Sequence, residues 1–255
     1  MTRTLLKTIV VGLAALCITS AGTRDAAAQI PDKYTNLQVL PKDITKGDLV
    51  SLMREAAGSL GVRCSHCHVG PEDLQGMDFA SDDKAPKRAA RVMMKMVEEI
   101  NGKYLKTLET GRAETTQVRC LTCHRGLTVP KSIHEIVAQA IAEKGVGPAL
   151  SEYRELREKY YGSAAYDFSP GPLNWVVEQL AREQKYDEAF AIAAANIELN
   201  PKEAYPHFLV GRLRLARGER EAAIAAFRKG LKLDPTNDWA RKQLEDLTAA
   251  EEKKE

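Results

Sequence analysis

The sequence predicts an all-α protein built in two parts, and two observations carry this. In the N-terminal half, the pattern C-x-x-C-H occurs twice, each time after a stretch whose apolar residues recur at helical spacing. In the C-terminal half, Pro201 and Pro235 stand 34 positions apart in a segment that repeats with that period. Composition agrees with a water-soluble globular chain: 44% of its 255 residues are hydrophobic and 28% charged. That length makes one large domain or two small ones. Aromatics are only 6%, so a covalently held cofactor would supply apolar mass that side chains do not.

Residues 1–28 read as an export leader. Arg3 and Lys7 form a basic start, Thr8 to Ala21 is apolar but short for a membrane span, and Ala26-Ala27-Ala28 offers an A-x-A cleavage site before Gln29. An uncleaved anchor is the other reading of this segment. Cys17 lies inside the apolar run behind Leu16, where a lipid-bearing cysteine would need a small residue. Without the leader, Lys plus Arg falls from 37 to 34 as Arg3, Lys7 and Arg24 leave. Asp plus Glu falls from 35 to 34 as Asp25 leaves, and the net charge goes from +2 to zero. No basic stripe interleaves with aromatics, which speaks against a nucleic-acid partner.

Four cysteines remain, in the pairs Cys64/Cys67 and Cys120/Cys123, followed by His68 and His124. C-x-x-C-H is the attachment signature of c-type haem. Two thiols three positions apart add to the two vinyl groups of one porphyrin, and the next residue offers its imidazole to the iron. Zinc-ribbon pairs lie about 15–20 residues apart, whereas Cys67 and Cys120 are 53 apart. Two disulfides would not need a histidine after each pair. The motifs therefore predict two c-type haems with iron.

A haem iron closed on both faces carries electrons, and an open one binds small molecules or catalyses. Before the first motif, Thr45 and Asp48 form a capping box. Leu49, Met53, Ala56, Ala57 and Leu60 then share a helical face, and Gly61 can end the helix in a left-handed cap. Met53 is either an iron ligand or a core methionine. Before the second motif a helix starts at Pro86 and runs to about Leu105, with Ala89, Met93, Met96, Val97, Ile100 and Tyr104 on one face and Met94 off it. Periodicity does not choose between Met93 and Met96. Arg63, Arg91, Arg119 and Arg125 flank these elements as haem-propionate partners or as solvated charges.

The segments NLQVLPKDITKGDLVSLM, SLGVRCSHCH, ARVMMKMVEEIN and CLTCHRG resemble the cytochrome subunit of bacterial photosynthetic reaction centres, over roughly residues 34–130. The resemblance implies a repeated unit of helix, turn and C-x-x-C-H, with an axial methionine from the preceding helix. It implies Met53 and Met93, the latter in preference to Met96, as axial ligands opposite His68 and His124. That family carries four haems where this chain has motifs for two. Its loop histidine has no counterpart in KTLETGRAETTQVRC, so a bis-histidine haem is not expected. The resemblance implies a half-length relative acting as a general periplasmic electron carrier, not an enzyme. A dihaem peroxidase or reductase with one open iron is the alternative.

Residues 204–237 match the tetratricopeptide pattern at Gly211, Ala223, Phe227 and Pro235, and residues 170–203 form a weaker copy with Ala189 and Pro201 in register. A final helix from Asp238 to about Ala250 would cap the array, and the EEKKE tail would fray. His207 falls at a packing position, and His134 packs or faces solvent. Such arrays offer a groove to a protein segment, or they pack on the neighbouring domain. The expected layout is a leader (1–28), a small multihaem cytochrome c domain (29–130), a helical connector (131–169) and tetratricopeptide-type repeats with a capping helix (170–250). The expected partners are redox proteins, membrane-bound or soluble.

Overall fold

The computed structural model describes residues 30–108 and 116–252, with side chains to residue 249. The segment expected to be a leader, with Cys17, and the last residues of the charged tail lie outside the described residues. Among the described residues the fold is helical, without a strand; Val69 and Asp78 form one isolated antiparallel bridge. No helix among them is long and apolar enough to cross a membrane.

The N-terminal part holds three helices: α1 (Lys46–Leu60), α2 (Ala85–Glu99) and α3 (Cys120–His124). α1 starts at Thr45, whose Oγ1 accepts from the Asp48 N–H at 3.2 Å, which satisfies a donor the helix leaves open. It ends at Gly61, in the left-handed region at φ 67°. α2 opens with Pro86 in its first turn and runs on through a π-type turn (Ile100–Tyr104) and a tight turn (Leu105–Thr107).

The rest is a stack of helical hairpins. α4 (Ile133–Lys144) pairs with α5 (Val146–Tyr160), α6 (Pro170–Arg182) with α7 (Tyr186–Leu199), and α8 (Tyr205–Ala216) with α9 (Arg220–Leu233). α4 packs on α6, α5 on α7 and α6 on α8, and α10 (Asp238–Glu252) closes the array against α9. One apolar core crosses the stack, with Ile133, Val137, Tyr153, Leu173, Val176, Ile192 and Leu209 buried together. Each such side chain stabilises the fold by about 1.5–3 kcal/mol on burial. Phe208, Ala223, Phe227 and Ala240 form a second cluster at the C-terminal end. Phe227 lies so close over Gly211 that a Cβ there would press on its ring, which accounts for the glycine at that repeat position.

Core burial is uneven along the chain. Among the described residues 30–130 only Ser59, Met77 and Leu127 are buried. This part therefore lacks a hydrophobic core of its own, although its helices carry apolar stripes.

Candidate functional site

Both C-x-x-C-H motifs fold as single helical turns. In the first, Cys64–His66 forms a tight turn, and the His68 N–H donates to the Cys64 carbonyl at 3.0 Å. In the second, α3 itself spans Cys120 to His124, opened by the Arg119 N–H donating to Thr122 Oγ1 at 3.0 Å. In a helical turn, side chains at i, i+3 and i+4 share a face, so two thiols and the following imidazole present together. None of these four cysteines is paired in a disulfide. Burial pushes the Cys67 and Cys120 thiols above their usual range. Among the described residues no three His, Cys, Asp or Glu side chains converge as a metal cage.

The histidines show what each ring can bind. His124 Nδ1 lies 2.8 Å from the Leu127 carbonyl oxygen. Such a hydrogen bond fixes the ring and leaves Nε2 as the nitrogen for a metal. His68 stands edge-on to Phe79, with ring centroids 5.1 Å apart, and its Nδ1 is buried without a hydrogen-bond partner. Burial, reinforced by Lys87, Lys84 and Arg91, holds its pKa below the ordinary 6.5.

The two motif regions meet at one junction. Gly61 closes α1 against the residue pair that follows α3. The Gly126 N–H donates to the Ser59 carbonyl at 2.8 Å, and a Cβ on Gly61 would collide with the Gly126 carbonyl oxygen. α1 thus packs along α3, so the helix carrying Met53 leads into one motif and lies against the other.

The basic face of α2 is covered by the chain's own loop. Its Lys87 and Arg91 side chains are only 11% and 15% exposed, while Met93 and Met96 are 39% and 43% exposed. These half-buried charges grip the loop after the first motif. Lys87 Nζ donates to the carbonyls of Phe79, Ala80 and Ser81 at 2.8, 2.9 and 2.6 Å and lies 3.2 Å from Asp82. Arg91 donates to Asp82 at 2.8 Å and to the Asn36 carbonyl at 3.3 Å. Lys84 Nζ donates to the carbonyl of Ser65, inside the first motif. Arg91 is thus an internal ion-pair partner, which corrects the sequence alternative of a solvated charge. The sequence showed the apolar face of α2, and nothing in it marked the basic face as the buried one.

Of the remaining histidines, His134 packs on Trp175 at 4.5 Å between ring centroids, and His207 is half-buried in the repeats. Neither joins a metal-binding cluster.

These residues fit a c-type haem. The donor set is two thiols and one imidazole per motif, His68 carries an orphaned buried nitrogen, and the segment exposes its methionine stripe where it has no apolar core. The sequence model of the photosynthetic reaction centre cytochrome c subunit family matches residues 14–171. The chain is 30% identical over 106 residues to cytochrome c-554 of Chloroflexus aurantiacus, covering 42% of this chain and 23% of that protein. It is 35% identical over 165 residues to the photosynthetic reaction center cytochrome c subunit of Thermochromatium tepidum, covering 64% and 36%. A 71-residue stretch is 37% identical to the Hsp70-Hsp90 organizing protein of Triticum aestivum, covering 28% and 12%. The chain therefore spans well under two thirds of the length of each of these relatives. The family match extends over more than half of the 255 residues, and the chain belongs to the photosynthetic reaction centre cytochrome c subunit family.

Proposed function

We propose that this chain is a periplasmic electron-transfer protein that holds two c-type haems, each closed by a histidine and a methionine. The observation that carries the reading is the repeated unit: a methionine-bearing helix, then a helical turn presenting two thiols and an imidazole. Cys64 and Cys67, and Cys120 and Cys123, would hold one haem per motif through thioether bonds to its vinyl groups, each thiol hydrogen going to the other vinyl carbon. His68 and His124 would supply an imidazole to each iron, and Met53 and Met93 would supply a soft thioether, a ligand type that raises the potential. The bound haem supplies a one-electron Fe(III)/Fe(II) couple. The electron comes from one redox partner protein and leaves to another, and no protein bond forms or breaks.

The helical repeats serve as the docking surface for a partner segment. Across α6 and α8, Tyr205 donates to Glu178 at 2.8 Å and Arg212 lies 3.5 Å from the same carboxylate, an exposed polar patch on the stacked helices. An Arg212→Glu substitution there should raise the partner concentration needed for half-maximal electron transfer.

The test is an optical spectrum of the reduced full-length holoprotein before and after carbon monoxide, with the mass of the intact chain. Two covalent haems and a low-spin spectrum unmoved by the gas support the reading. A carbon monoxide shift means an open iron and favours a dihaem peroxidase or reductase. A chain without covalent haem overturns the proposal.

A further inference from the structure

We infer that Asn101 is a positioning residue for the second haem: its side chain ties the end of α2 to the entry of the second cysteine motif, and so fixes the span between the methionine-bearing helix and His124. The inference rests on the haem-binding reading above.

The two units reach their motifs differently. In the first, only residues 61–63 separate the end of α1 at Leu60 from Cys64. The left-handed cap at Gly61 turns the chain there, and the Val62 N–H donates to the Ala57 carbonyl at 3.0 Å. Chain connectivity alone keeps that motif beside its helix. In the second, α2 ends at Glu99 and α3 opens at Cys120. A longer connection costs more entropy to close, so a contact has to stand in for the short link.

Asn101 supplies that contact. The helix passes into the π-type turn Ile100–Tyr104 at this point, an irregularity frequent at functional sites. Asn101 Nδ2 donates to the Val118 carbonyl at 2.8 Å, and the Val118 N–H donates to Asn101 Oδ1 at 2.8 Å. One primary amide thus pairs with both backbone polar groups of a residue 17 positions away, which takes a side chain that donates and accepts at once. The next residue carries the link on. The Arg119 N–H donates to Thr122 Oγ1 at 3.0 Å, and the Arg119 carbonyl accepts from the Thr122 N–H at 3.0 Å. Hydrogen bonds therefore run from Asn101 through Val118 and Arg119 into the turn that bears Cys120, Cys123 and His124. The exit of that turn is held separately, by the Gly126 N–H on the Ser59 carbonyl. Asn101 holds the entry, and holds it to the helix that carries Met93.

The test uses the full-length holoprotein, read by the haem mass on each cysteine peptide and by carbon monoxide binding. Asn101→Ala removes both hydrogen bonds and should raise the carbon monoxide affinity of the second iron about tenfold or more, or strip haem from the Cys120–Cys123 peptide, with the first motif unchanged. Asn101→Asp keeps the acceptor for the Val118 N–H and should fall between Asn101→Ala and wild type. It carries the test if Asn101→Ala does not accumulate. Lys103→Ala, in the same π-type turn but facing Glu99 and the Tyr104 ring, should match wild type. Two haems as closed as in wild type in Asn101→Ala, or equal losses at both motifs, overturn the inference. Wild-type protein without covalent haem, or open to carbon monoxide, would instead sink the haem reading on which it stands.

Discussion

Gly61 and Gly126 meet where the helix leading into the first cysteine motif ends against the loop leaving the second. Gly61 sits at φ 67°, a Cβ there would strike the Gly126 carbonyl, and one residue pair away the Gly126 N–H donates to Ser59. A Gly61→Ala substitution adds left-handed strain of about 1–2 kcal/mol and the collision besides. Thermal unfolding of the holoprotein should fall by several degrees, with the spectra of both haems broadened. A variant with wild-type melting temperature would show that this junction does not hold the two motifs.

Met93 and Met96 are both exposed on α2, and the ligation proposed for Met93 would separate them. Leu conserves methionine volume closely, so substitution removes the sulfur with little packing cost. Met93→Leu should abolish the methionine–iron charge-transfer band of one haem and open that iron to carbon monoxide. Met96→Leu should change neither. The reverse result would move the ligand to Met96.

The Asp82 carboxyl is held well below its ordinary value of 3.8, first by the hydrogen bond from Arg91, then by Asn36 and Lys87. A folded-state pKa below the unfolded one contributes stability that is present above about pH 4 and lost as pH falls through the folded value. The melting temperatures of wild type and Asp82→Asn should therefore differ at neutral pH and converge in strong acid. A gap that stays constant into strong acid would rule out this carboxylate as its source.

Asn196 is fully buried between α6 and α7, where its Nδ2 donates to the Pro170 carbonyl at 3.0 Å and to Asn174 Oδ1 at 2.7 Å. Asn200 in turn donates to Asn196 Oδ1 at 2.8 Å. Asn196→Leu leaves these groups unpaired, at about 1–3 kcal/mol for a buried partner. Chemical denaturation should show that loss in the repeats while the haem spectra stay unchanged. An unaltered midpoint would mean water replaces the side chain.

Much of the architecture was legible in the residues. Thr45, Asp48 and Gly61 mark both ends of α1, and the observed cap lies where they put it. Gly211, Ala223 and Phe227 mark the repeat, and the structure packs them in one cluster region. Helix caps and repeat packing are local or periodic, so short stretches of sequence contain them whole. The network of Asn174, Asn196 and Asn200 was not legible, because buried amides look like surface amides until their partners are known.

The sequence by itself determined that two C-x-x-C-H turns each follow a methionine-bearing helix, and that a helical array with a 34-residue period comes after them. Chain spacing sets those features, and no distant contact is needed to read them. The tertiary structure alone decided that α2 turns Lys87 and Arg91 inward and Met93 and Met96 outward. Periodicity reveals that a helix has two faces, but which one is covered depends on carbonyls and carboxylates brought from residues 36 and 79–82. Only folding places those partners.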